Sequence, residues 1–104
     1  MSMEREEISR TLSEIAQHTK AMLLYREEER VLNYRTIDPL LLSLEADLAR
    51  SPNASAAEKL AELKVHLIAI ARLGDPDGYT DESHCASAMK VIDELRSSRG
   101  FKID

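Results

Sequence analysis

ISRTLSEIAQHTKAMLLYREEERVL, residues 8–32, is the stretch on which the reading of this chain turns. Its first part sets Ile8, Leu12, Ile15, Ala16, Thr19, Met22 and Leu23 at intervals of three and four, the repeat of one α-helical face. Upstream, Ser2 is a capping residue, and Glu4, Glu6 and Glu7 complement the positive end of the helix dipole. Nothing breaks the pattern before Asn33 or Tyr34, so it predicts a first helix of about 30 residues, about 45 Å long. The last part of the stretch changes face. At 100° per residue Arg26 and Arg30 fall on the apolar stripe, while Leu24, Tyr25, Val31 and Leu32 fall opposite. A straight helix with one stripe does not look like this. Either it kinks near Leu24, or its last third packs against something on its other side.

Three more helices follow outward from this one. Asp38-Pro39 is a cap followed by proline at the favoured first helical position, and the run Leu40, Leu41, Leu42 and Leu44 continues to about Arg50, where Ser51-Pro52 stops it. Ser55-Ala56-Ala57-Glu58 has the form of a capping box. It opens a third helix ending at Leu73, with Gly74 as the left-handed residue beyond it and Pro76 next. A fourth starts at Thr80 or Asp81 and stops before Gly100, and Phe101 folds back onto Leu95. Asp75-Pro76-Asp77-Gly78 reads as a tight turn. The fold expected is all-α: one domain over residues 1–104, a small bundle of about four helices with a long first helix, assembled as a dimer.

Composition narrows the function. Fourteen basic against nineteen acidic residues give a charge of −5, the wrong field for displacing counterions from nucleic acid. The four aromatics, Tyr25, Tyr34, Tyr79 and Phe101, supply no stacking platform for single strands. The most apolar stretch, Val65 to Ala71, is interrupted by His66 and is too short to span a bilayer, and the acidic start has no secretory h-region. The single cysteine, Cys85, falls on an apolar stripe and reads as a small buried hydrophobe. A cytoplasmic protein with neither nucleic acid nor membrane as partner is expected.

Candidate chemistry is sparse. Glu14 and His18 are four apart, as are Glu62 and His66, and Asp81 and His84 are three apart. Carboxylates and imidazoles facing inward from neighbouring helices are how di-metal bundles are built. Those bundles use Glu-x-x-His, however, and both glutamate pairs here are one residue longer, on the flanks of their stripes. Glu14, His18, Glu62 and His66, with His84 as a possible addition, therefore form the alternative reading only; no metal and no cofactor is the first. Aligning Gly78 with the glycine of a calcium loop puts Leu73 and His84 where acids belong, which rejects calcium. No Glu-x-x-Asp on a later helix completes a magnesium site with Glu4 and Glu7, there is no phosphate-cradling glycine loop, and adjacent His84 and Cys85 point about 100° apart. No enzyme is predicted.

Surplus apolar surface remains. Leu40, Leu41, Leu44 and Leu48 make one stripe, leaving Leu42 and Ala49 off it, while Val65, Ile68 and Ala69 widen the third helix beyond Leu60, Leu63, Leu67 and Ile70. For the third helix, being surrounded within the bundle accounts for this. For the first, short partners leave part of a 45 Å helix uncovered, which points to a second subunit or another protein. The expected function is a small acidic helical interaction protein (a regulator, adaptor or chaperone-like partner), homodimeric or bound to another protein. Its contact residues are Leu24, Tyr25, Val31, Leu32, Tyr34 and Leu42, rimmed by Arg26–Arg30.

Overall fold

Ile8, Leu12, Ile15, Thr19 and Met22 do share one buried side of a helix, α1 (Arg5–Met22), in a computed structural model that describes residues 5–50, 53–73 and 78–97. The buried Thr19 hydroxyl donates to the Ile15 carbonyl one turn back, at 2.7 Å, so a polar atom sits in the core at little cost. The described residues form four helices and no strand: α1, α2 (Glu27–Arg50), α3 (Ala54–Ala71) and α4 (Asp81–Ser97). Each packs mainly on its neighbours in a ring, α1 on α2, α2 on α3, α3 on α4 and α4 on α1, the arrangement of an antiparallel bundle with short connections. No helix among the described residues is long and apolar enough to cross a membrane.

The long first helix is not present. Helix α1 stops at Met22, and the amides of Leu23, Leu24 and Tyr25 tighten onto the carbonyls of Lys20, Ala21 and Met22. Asn33 then reaches back from α2 to the His18 carbonyl at 2.9 Å, satisfying a group near the end of α1. The change of face marks two helices meeting at a turn. The longest element is α2, with 24 residues.

Helix α2 also overturns the start expected at Asp38-Pro39, because Pro39 lies inside it. Tyr34 and Ile37 before the proline share a buried face with Leu41, Leu44 and Leu48 after it. Burying five such side chains stabilises by roughly 10 kcal/mol, against about 3 kcal/mol for an interior proline. Pro39 is itself exposed, so the Arg35 carbonyl that loses its amide donor lies on the wet side, where water replaces it.

Helix α3 begins two residues before the expected box. Asn53 is its cap, accepting from the Ala56 amide at 3.1 Å. Its end comes early as well: Arg72 takes the left-handed conformation (φ 59°, ψ 38°), with Arg72 N–H to Ala69 and Leu73 N–H to Ile68. These two bonds satisfy the end carbonyls without a glycine. Gly74 lies outside the described residues, as do Asp75–Asp77, Gly100 and Phe101. Helix α4 starts where expected, capped by the Thr80 hydroxyl, which accepts from the Ser83 amide at 3.0 Å. Val65, placed by its sequence in a surrounded helix, is exposed, while Ile68 and Ala69 are half-buried.

Candidate interaction surface

One end of the bundle gathers the α1–α2 turn, the end of α3 and the start of α4, and Arg30 fastens them together. Its Nε donates to the Tyr25 carbonyl at 3.0 Å, and its Nη1 to the Ile70 carbonyl at 3.2 Å and to Asp81 Oδ2 at 2.6 Å. Arg72 adds a second cation, 3.2 Å from the same Asp81 oxygen and 3.3 Å from Glu27. The Arg30 hydrogen bond, aided by the charges of both arginines, holds the Asp81 carboxyl below the usual carboxylate range despite partial burial. Arg30, expected on the polar rim of the contact, is instead buried, in an ion cluster rather than in the apolar core.

The segments fastened there carry apolar side chains into solvent. Leu24 is 87% exposed, and Tyr25, Leu73 and Tyr79 are exposed as well. From this end the outer side of α2 continues with Leu32 (60% exposed), Pro39, Leu42 (52%), Ala46 and Ala49. Of the six expected contact residues, Leu24, Tyr25, Leu32 and Leu42 are at the surface and Val31 is half-buried. Tyr34 is in the core, where burial, then the carboxylates of Asp38 and Glu45, push its phenol up. Leu73 and Tyr79 were missed. Leu73 follows its helical stripe in sequence, and only the left-handed Arg72 turns it out.

A second cluster lies between α3 and α4. His66 Nδ1 and His84 Nδ1 are 2.9 Å apart, so one ring donates and the other accepts. Their planes are tilted by 51°, and Tyr79 meets His84 edge-on at 5.9 Å between centroids. Among the described residues, no group of three His, Cys, Asp or Glu side chains is placed to hold a metal ion, and Glu14 and Glu62 are exposed. Cys85, beside His84, is buried. Burial pushes its thiol up, Lys20 opposes this and Glu82 adds to it, so the thiolate a nucleophile needs is disfavoured. A groove of about 390 Å³ lies between α2 and α3, lined by Glu45, Leu48, Ala57, Leu60, Ala61 and Lys64. No protein-family model, curated protein or solved structure matches this chain.

Proposed function

We propose that this chain is a small acidic helical interaction protein of the cytoplasm, acting by helix-mediated contact with protein and working as a homodimer. The observation that carries the reading is the exposure of Leu24, Leu32 and Leu42, each more than half open to water, along one turn and the helix it starts. Covering three leucines recovers roughly 5 kcal/mol of apolar transfer, ample for a reversible contact once ordering costs are met. Glu27, Glu28 and Glu29 stand exposed beside them and set which partners are admitted. The ion cluster around Arg30 supports the reading by fixing the turn that presents Leu24. The single buried thiol suits a reducing compartment.

The test compares wild type with Leu24→Asp/Leu32→Asp, both positions being exposed so that the fold is kept, as checked by circular dichroism. Light scattering to about 200 µM follows self-association, and affinity capture follows other proteins. Loss of either association in the variant supports the reading. Unaltered association in both assays, or none by wild type, refutes it.

One observation favours a metal-binding bundle as the second reading: the His66–His84 contact supplies two imidazoles from two helices. Loss of zinc binding in His66→Ala/His84→Ala, measured by calorimetry, would support it; the same weak binding in both proteins would end it.

A further inference from the structure

The outer side of α2 carries an apolar repeat. Leu32, Pro39 and Ala46 recur every seven residues, with Arg35, Leu42 and Ala49 between them at the same interval, all exposed, so the face is apolar except for one arginine. The buried face formed by Arg30, Tyr34, Ile37, Leu41, Leu44 and Leu48 lies opposite. Helix α2 is therefore two-sided: one side closes this bundle and the other repeats at the interval of a helix–helix seam. The hydroxyl of Thr36, also on the outer side, donates back to the Leu32 carbonyl at 3.4 Å, so the seam does not rely on water for that group. The alanines leave room for a second backbone to approach closely.

Charge decides what covers it. The outer side begins with Glu28 and ends with Arg50, and neither joins an ion pair among the described residues. Pro39 lies midway, eleven residues from each. A second α2 laid parallel would set Glu28 against Glu28, Arg35 against Arg35 and Arg50 against Arg50, whereas an antiparallel copy centred on Pro39 puts Arg35 level with Ser43. Laid antiparallel, with a two-fold axis near Pro39, it sets Glu28 of one copy beside Arg50 of the other at both ends. It also sets Leu32 near Ala46 and brings Leu42 to the centre. The helix dipoles then oppose one another favourably. The same patch on each subunit makes a closed, isologous contact.

We infer that the partner of the α2 outer side is a second copy of this chain, packed antiparallel with the two-fold axis near Pro39. The inference rests on the docking reading above and assigns its partner and geometry. One helix pair buries an area at the low end for specific contacts, so dissociation in the micromolar range, on the order of 10 µM, is expected.

The experiment is sedimentation velocity at low salt on Glu28→Arg, Arg50→Glu and their equimolar mixture, all at exposed positions. Each variant alone should self-associate about three- to ten-fold more weakly than wild type, because like charges now meet at both ends. The mixture should recover a heterodimer, since one chain carries two arginines and the other two glutamates. Single cysteines in a Cys85→Ala background then fix direction with a short bismaleimide. Position 39 should cross-link to itself, whereas position 28 should link to position 50 of a second chain and not to itself, from which it lies about 33 Å along the helix axis. Self-association without recovery in the mixture, or a 28-to-28 cross-link, overturns the antiparallel geometry. A wild type that stays monomeric overturns the inference, while loss of captured protein partners on Leu24→Asp/Leu32→Asp would leave the docking reading standing.

Discussion

Arg30→Met should be the most damaging single change at the exposed end of the bundle. The guanidinium donates to two backbone carbonyls and one carboxylate, and the paired side chains are only 11% and 22% exposed. Breaking a buried ion pair costs about 3–5 kcal/mol. Arg72 stays 3.2 Å from Asp81 and offsets part of this, so the expected loss is about 3 kcal/mol. For a domain of this size that is a fall in Tm of about 12–24 °C. Urea denaturation followed by circular dichroism measures it directly. The pH dependence is a second signature. Asp81 is held below its ordinary range, so its contribution is fully present above the unfolded carboxylate's value near pH 4 and is lost as pH falls through the lower folded value. The stability gap between wild type and variant should therefore be constant from about pH 5 to 8 and narrow below about pH 4. A loss under about 1 kcal/mol, or an equal gap at pH 3 and pH 7, would refute the reasoning.

Three further outcomes follow from the helix ends, the proline and the thiol. Asn53→Ala should cost about 1 kcal/mol in urea denaturation, whereas Ser55→Ala, one turn position inside α3, should be close to neutral. Pro39→Ala should stabilise by about 1–3 kcal/mol, read as a raised denaturation midpoint, because it restores the donor to the Arg35 carbonyl at an exposed position inside α2. Cys85 should react with iodoacetamide at pH 8 at least about ten-fold more slowly in the folded chain than in urea, since it is buried and its thiol is pushed up; equal rates would contradict the burial.

What could be read from the sequence, and what could not, divides by the range of the interaction. Ile8 to Met22 and the Thr80 cap were legible because each is settled within a turn or two of its own residues. The break after Met22 was legible only as one of two alternatives, a kink near Leu24 signalled by the change of face, since residues 23–26 hold no glycine or proline to fix it. What holds the turn is Arg30, through partners 40 and 51 positions away at Ile70 and Asp81. Asp38-Pro39 carries a strong local start signal that burial of Ile37 and Leu41 on either side outweighs. Arg72 holds a conformation for which Gly74 was the obvious candidate. For the surface, Leu24, Leu32 and Leu42 were visible as leucines off the stripe, and all three are exposed. Tyr34, expected at the contact surface, is instead in the core, on the buried face of α2 with Ile37 and Leu41. The length mismatch that suggested a partner for the first helix disappears with that helix. The case for a docking surface rests instead on exposure.

Native mass spectrometry of the purified chain from about 1 to 200 µM, reading oligomer mass and bound metal together, tests the central claim most directly. The account predicts a dimer free of metal that grows with concentration and is lost in Leu32→Asp/Leu42→Asp. A monomer at every concentration, or a dimer that this variant leaves unchanged, would contradict it.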